Sequence, residues 1–152
     1  MMRKTHLALI IFLILIFVPY VNNKILFSIF AFFAALLPDI DSEYSAVGRH
    51  WFLRPLQFFI KHRGILHSLS FCILISILLS LFLPVLAFPV FLGYSTHLLF
   101  DSITLEGIQP FWPLKKRSDG FIKTNSHTEE AIFFTLVFVN FLIVLSRILK
   151  TL

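Results

Sequence analysis

The sequence predicts an all-α polytopic membrane protein with about five transmembrane helices and an interfacial helix between the second and third spans. Hydrophobic residues make up 58% of the 152 residues and charged residues only 14%, and the mean hydropathy is +0.90. These values lie far outside the range of soluble domains. The length suits one compact unit, so residues 1–152 are expected to form a single helical membrane domain.

The apolar residues fall into five segments that predict the spans. They cover His6–Val21, Ile25–Leu37, Ile65–Leu83, Val85–Ile103 and Ala131–Leu149. The last three are nineteen residues long, close to the roughly 20 residues that cross about 30 Å of hydrocarbon. The second has thirteen residues and is short for a span. Turn residues at Asn23 and Pro84 predict that spans one and two, and spans three and four, form hairpins.

The basic residues predict a cytoplasmic N-terminus, because Lys and Arg concentrate in cytoplasmic loops. In that orientation the inside set is Arg3, Lys4, Arg49, Arg54, Lys61, Arg63, Lys115, Lys116, Arg117 and Lys123. The outside set is Lys24, Arg147 and Lys150. The N-terminal stretch begins like a signal peptide, but no small-residue cleavage site follows Tyr20, so we expect it to be retained as the first span. Between spans two and three, "WFLRPLQFF" mixes aromatic with basic residues, as is typical of an interfacial helix.

Composition and motifs exclude several classes of function. The excess of 13 Lys and Arg over 8 Asp and Glu reports membrane orientation, so no nucleic-acid partner is expected. The chain's one cysteine, Cys72, has no partner for a disulfide and no CxxC companion for a thiolate metal site. Ser68 and Ser95 lack the nearby base and acid of a serine hydrolase. Any metal site must therefore use His, Asp or Glu.

Ionisable residues inside the fourth span predict a polar site. His97 and Asp101, in "GYSTHLLFDS", are four residues apart and share one face of a helix. A charged Asp in a span costs at least a few kcal/mol unless a proton, a cation or a metal neutralises it. The pair could grip one metal ion, or it could be a hydrogen-bonded pair that only fastens two helices.

Two further motifs place ionisable groups at the same depth. In "PDID", Pro38 ends the helix, and an extended chain after it would direct Asp39 and Asp41 to opposite sides. One carboxylate could then bind a metal directly while the other bridges ions or orients a histidine. In "HRGILHS", a helix that begins near Ile65 would let His62 fold back toward the point that His67 faces. The plainer interpretations are a solvated helix end and an ordinary buried histidine.

The predicted topology brings these groups to one membrane face. The potential ligands are His6, Asp39, Asp41, His62, His67, His97 and Asp101. Histidines and carboxylates without sulfur suit Zn²⁺, Mn²⁺ or non-haem iron, with room for two ions. By contrast, "SHTE" (126–129) is typical of a capping box in which Ser126 caps the last span and Glu129 reaches back.

The order and spacing of "LLPDIDS", "HRGILHS", "GYSTHLLFDSIT" and "GIQPFWP" resemble the YdjM-like inner-membrane, metal-dependent hydrolase family. The resemblance runs from His6 to about Pro113, and Leu66 stands where the family pattern has a threonine. It implies a small helical membrane protein with hydrolytic activity and metal ligands at the seven positions just given. More remotely, the His and HxxxD ligands are similar to those of helical zinc-dependent phospholipases C and single-strand nucleases, whose metal clusters cleave phosphodiesters.

We therefore expect a divalent metal, zinc or manganese foremost, in a hydrolase that cleaves a phosphate ester at the cytoplasmic membrane surface. The expected partners are membrane lipids and a phosphorylated or lipid-linked substrate. Asp39 or Asp41 would bridge ions or accept the proton of a metal-bound water, and Arg63 would hold the phosphate. The alternatives are a transporter or ion-handling protein that uses the same cluster, and a non-catalytic membrane scaffold.

Overall fold

The computed structural model describes residues 2–42, 45, 48–59 and 63–151. Within these ranges the chain is helical and contains no β-strand. Its extended pairing there is limited to two isolated bridges, Thr104 with Ile122 and Ile108 with Ser118. The all-α prediction is thus confirmed, while the single-domain prediction stays a prediction.

The α-helices of the described ranges are separated by connections of very different length, the longest of which precedes the last helix. They are α1 (Arg3–Phe17), α2 (Lys24–Ala34), α3 (Arg54–Phe59), α4 (Leu69–Phe82), α5 (Pro84–Ser102) and α6 (His127–Thr151). Short 3-10 turns cover Val18–Tyr20, Pro38–Asp41, Trp51–Leu53 and Ile65–His67. Helix α5 contacts α1, α2 and α4, and α6 packs against α1. Helix α5 is therefore the element around which the other apolar helices are arranged.

Capping residues set the helix starts close to the predicted turns. The Asn23 side chain accepts a hydrogen bond of 3.1 Å from the Leu26 amide at the start of α2. Pro84 is the first residue of α5, where its missing N–H has no consequence. The predicted start of a helix near Ile65 is wrong, because Ser68 caps α4 by accepting a 3.2 Å bond from the Phe71 amide. His67 consequently lies on a 3-10 turn before the helix.

The backbone after Pro38 also differs from the prediction. Helix α2 ends at Ala34, and Pro38–Asp41 form a 3-10 turn instead of an extended segment. Pro38 stands at the start of this turn, where its fixed φ is favourable. The prediction that Asp39 and Asp41 follow an extended chain is therefore wrong. Both acids are instead carried on one compact turn that contacts α5.

Two helices are long and apolar enough to cross a bilayer. They cover Arg3–Tyr20, with a mean hydropathy of 1.6, and His127–Thr151, with a mean hydropathy of 2.4. Helices α2 and α4 have 11 and 14 residues, or about 17 and 21 Å at 1.5 Å per residue, which is short of a core of about 30 Å. The described helices thus include two candidate spans, whereas the sequence predicts five.

The segment between α2 and α4 has the composition and exposure of an interfacial element. It contains the Trp51–Leu53 turn and the six-residue helix α3. Trp51 is 83% exposed and Phe58 is 85% exposed. Aromatic side chains of this kind are enriched at the boundary between headgroups and hydrocarbon.

Helices α2 and α5 approach each other closely at Gly93. A Cβ at this position would lie 3.0 Å from the Cβ of Ala34 and closer still to the carbonyl oxygen of Ala31. Small residues at a helix interface allow this kind of backbone approach. The contact matters for the polar cluster because the next residue beyond Ala34, Ala35, offers its carbonyl to His97.

Replacement of Gly93 should therefore loosen the bundle. We expect Gly93→Ala to lower stability by about 1–3 kcal/mol, because the new methyl group would meet backbone atoms that cannot rotate away. Thermal unfolding in detergent would show a lower Tm than that of Leu99→Ala, a change at an exposed position of the same helix. Equal Tm values for the two variants would contradict the close-packing argument.

Candidate metal centre

Four elements bring the predicted ligands together. His6 is in the first turns of α1, Asp39 and Asp41 lie on the 3-10 turn after α2, and His67 lies on the turn before α4. His97 and Asp101 project from α5. The remaining predicted ligand, His62, lies outside the described residues. All but Asp39 of the six described residues are buried.

The Asp101 carboxylate is the meeting point of three imidazoles. Its Oδ1 lies 3.2 Å from Nε2 of His6. Its Oδ2 lies 3.5 Å from Nε2 of His97 and 3.6 Å from Nε2 of His67. The i, i+4 spacing of His97 and Asp101 thus places both on one helix face, as the sequence predicts.

The hydrogen bonding of His97 fixes which ring nitrogen can bind a metal. Its Nδ1 lies 2.8 Å from the carbonyl oxygen of Ala35, which can only accept, so Nδ1 carries the proton. With that tautomer, Nε2 presents a lone pair toward Oδ2 of Asp101 and toward Oδ1 of Asp39, 3.8 Å away. This Nε2 is buried and makes no hydrogen bond to any described residue. A lone pair that faces two carboxylates in a buried site is the arrangement that a cation stabilises.

His6 presents a second unsatisfied ring to the same point. It stacks on His97 with ring centroids 4.1 Å apart and planes 6° apart. Both of its ring nitrogens are buried, and neither hydrogen-bonds to a residue in the described part of the chain. Burying an imidazole without hydrogen bonds is costly. A metal bound at Nε2, beside Asp101, would remove that cost.

His67 and Asp41 form a carboxylate–histidine pair. Nδ1 of His67 lies 2.9 Å from Oδ2 of Asp41, and the same oxygen accepts a 3.1 Å bond from the Arg63 amide. In metalloproteins such a carboxylate orients the imidazole and raises the basicity of its other nitrogen. Of the two roles left open for the "PDID" acids, the geometry gives the orienting role to Asp41 and leaves Asp39 facing the cluster.

The donor set meets the distance requirements of a metal site. Two groups, His6 with His97 and Asp101, and Asp39 with His67 and His97, each offer three donor atoms within 4.8 Å of one another. Donors around a tetrahedral zinc with bonds of about 2.0–2.1 Å are roughly 3.3–3.4 Å apart, close to the separations found here. Because His97 has one available lone pair, the two groups cannot each hold a separate, complete ion at once. The described residues therefore fit a divalent metal.

Arg63, predicted as a phosphate ligand, already has partners. Its Nη2 lies 4.0 Å from Oδ2 of Asp101 and 2.5 Å from Oε2 of Glu106. Its Nη1 donates to the Gly107 carbonyl at 3.0 Å. The residue has a φ of 60°, which is uncommon for an arginine. Glu106 was not anticipated from the sequence, since no local pattern connects it with Arg63.

Glu129 is a second residue whose role the sequence only partly indicates. The Ser126 hydroxyl caps α6 by accepting a 3.4 Å bond from the Glu129 amide, as predicted. The Glu129 carboxylate reaches back to the Asn125 amide at 2.7 Å. It also accepts from the Thr5 hydroxyl at 3.1 Å and from the Met2 amide. Glu129 thus ties α6 to the start of the helix that carries His6.

The family comparison agrees with the motif order. The sequence profile of the YdjM inner membrane protein family matches residues 1–151. The chain belongs to this family. Its membrane location is supported by the curated relatives, which include the inner membrane protein YdjM of Escherichia coli K12.

Two of these relatives are 35% identical to this chain over the aligned residues. They are the inner membrane proteins YdjM of E. coli K12 and Shigella flexneri, each aligned over 96 residues that make up 57% of this chain and 49% of the relative. The uncharacterised protein YvsG of Bacillus subtilis 168 is 28% identical over 104 residues, 64% of this chain and 65% of YvsG. The chain spans about half the length of the YdjM proteins that it matches. No solved structure matches it.

Metal content should separate the ligand from the orienting residue. We expect His97→Ala to abolish binding of one equivalent of Zn²⁺ or Mn²⁺, because it removes a donor shared by both groups. Asp41→Asn should weaken binding by roughly 10–100-fold, the usual effect of losing a residue that orients a ligand. Elemental analysis and metal titration of the purified chain measure both effects. The exposed His127→Ala should behave as wild type, and equal metal content in all variants would remove His97 from the site.

Glu129 should support the centre without binding the metal. We expect Glu129→Ala to lower Tm and weaken metal binding, because each buried donor left without an acceptor costs ~1–3 kcal/mol. Glu130→Ala is the matched control, since the Glu130 carboxylate makes exposed ion pairs, at 3.8 Å with Lys4 and at 3.7 Å with His127, which contribute little to stability. Thermal unfolding and metal titration that gave the same values for both variants would refute the tethering role.

Proposed function

We propose that this YdjM-family chain is a membrane-embedded, metal-dependent hydrolase that cleaves a phosphate ester at the cytoplasmic membrane surface. The observation that carries the proposal is the buried Nε2 of His97, which makes no hydrogen bond within the described chain and faces the carboxylates of Asp39 and Asp101. Binding of this nitrogen to a metal ion would explain why it is buried without a hydrogen-bond partner. The residues that would hold the ion are His6, His67, His97 and Asp101.

We further propose the five-span topology with the N-terminus and the cluster on the cytoplasmic side. The distribution of basic residues supports this orientation. Helix α6 exposes large apolar side chains along its length, including Phe134, Phe138 and Phe141, which suits contact with lipid. Helices α2 and α4 would span by extension through their flanking 3-10 turns or by local thinning of the bilayer.

The position of the cluster along the helices supports surface chemistry over transport. His6 lies near the N-terminal end of α1, and Asp101 lies in the last turn of α5. The site is therefore at one end of the bundle. A transport pathway would need polar groups distributed through the depth of the membrane.

A divalent metal bound here would lower the pKa of a coordinated water and polarise the phosphoryl oxygen. Asp41 holds His67 in the orientation that directs Nε2 to the cluster. Asp39, at 22% side-chain exposure, is the carboxylate of the cluster most open to solvent. It would accept the proton of an attacking water. Arg63 would bind the phosphoryl oxygens beside Asp101.

Turnover of a generic phosphate ester tests the proposal. We expect the metal-loaded chain to hydrolyse p-nitrophenyl phosphate or its diester and to lose activity on chelation. Asp39→Asn should lower kcat by roughly 10²–10⁴-fold, the range for a general base, while Glu130→Gln should not change it. Metal content must be measured alongside. Absence of turnover by the metal-loaded wild type with either ester would leave the cluster as a structural or ion-handling site.

A further inference from the structure

An open cleft adjoins the cluster on the side of Arg63. It has a volume of about 520 Å³ and is lined by Arg63, Leu105, Glu106, Arg117 and Asp119. Four of these five residues carry charge. The cleft is therefore a polar compartment next to the buried cluster, with two guanidinium groups facing two carboxylates.

Arg63 connects this cleft with the cluster. Its side chain is only 16% exposed, and its Nη2 lies between Oδ2 of Asp101 at 4.0 Å and Oε2 of Glu106 at 2.5 Å. The inner end of the guanidinium thus belongs to the cluster and the outer end to the cleft. An anion that replaced the Glu106 carboxylate on Arg63 would lie beside Asp101.

Glu106 is held weakly enough to be replaced. Its side chain is 61% exposed, and its ion pair with Arg63 is the contact that holds the carboxylate among the described residues. Water and salt reach this ion pair from the exposed Glu106 side and screen it in part, while Arg63 stays largely buried. Like a carboxylate, a phosphoryl group can accept two hydrogen bonds from a guanidinium, and it carries a larger negative charge. It should compete well for this position.

A short bridge places Arg117 on the opposite wall. Ser118 and Ile108 exchange backbone hydrogen bonds of 2.9 and 3.1 Å, so the chain at Ser118 is extended. Residues on either side of an extended position point the same way, which directs Arg117 and Asp119 into the cleft. Arg117 donates to the Glu106 carbonyl, and its Nε lies 3.7 Å from Oδ1 of Asp119.

We propose that this cleft is the phosphate subsite of the centre, in which a phosphoryl group replaces the Glu106 carboxylate on Arg63 and is also bound by Arg117. The inference rests on the proposed hydrolase function and adds two residues to it. Arg117 is a substrate-binding residue. Glu106 is a specificity residue that occupies the subsite in the absence of substrate and repels weakly bound anions.

Binding of inorganic phosphate to the metal-loaded full chain in detergent tests the subsite without any turnover. We expect Glu106→Gln to tighten binding about 3–5-fold, because it removes a competing charge whose ion pair is weak. Arg117→Gln should weaken binding about 3–10-fold, since a charged hydrogen bond is lost. Lys116→Gln removes the same charge from a neighbouring exposed residue that does not line the cleft, and it should leave the Kd unchanged.

The source of the phosphate is tested in the same assay. Phosphatidic acid in mixed micelles should displace inorganic phosphate if the ligand is a lipid headgroup, whereas glycerol phosphate alone should displace it if the ligand is soluble. Either pattern supports the subsite. Unchanged or weaker binding in Glu106→Gln, or equal Kd values for Arg117→Gln and Lys116→Gln, would overturn it.

The outcomes for the subsite and for the proposed hydrolase are separable. A chain that binds phosphate with the expected order of variants but cleaves no ester keeps the subsite and loses the hydrolase. A chain that cleaves esters, with Glu106→Gln and Arg117→Gln both equal to wild type in KM and in phosphate Kd, keeps the hydrolase and loses the subsite. Metal content should be the same in all three variants, because none of these residues contributes a donor to the cluster.

Discussion

The burial of the Asp101 carboxylate among three imidazoles is the constraint on which the rest of the structure depends. A carboxylate in this position is tolerable only with positive charge or donors around it. The chain meets that requirement with His6, His67 and His97, which come from separate elements. Each must reach the same carboxylate, so the packing of α1, α2, the turn before α4, and α5 depends on the two oxygens of Asp101.

The packing of apolar residues around the cluster positions its polar groups. The close approach at Gly93 brings α2 against α5, so that the Ala35 carbonyl reaches Nδ1 of His97 and fixes its tautomer. The turn that begins at Pro38 supplies Asp41 to His67 and Asp39 to the cluster. Apolar helices thus build a polar site at one end of the bundle without polar groups being needed along its length.

Much of this site could be predicted from the sequence, because depth in a membrane is encoded locally by apolar run length. His97 and Asp101 share a face through helical spacing alone, and His6 lies at the start of a span. The conformation after Pro38 could not be predicted, since a 3-10 turn and an extended chain both accommodate proline. Arg63 and Glu106 are 43 positions apart, and their pairing depends on how the loop after α5 folds back. For Glu129, a capping-box pattern indicated the cap but not the attachment to α1.

The Glu129 contact gives the centre an order of assembly. Its carboxylate joins the helix that carries His6 across a sequence separation of 124 residues. Loop-closure entropy opposes such a distant pairing until both partners are in place. A chain in which α6 has not yet packed against α1 would therefore hold His6 less firmly. The proposed metal centre would be completed only once these two helices have come together.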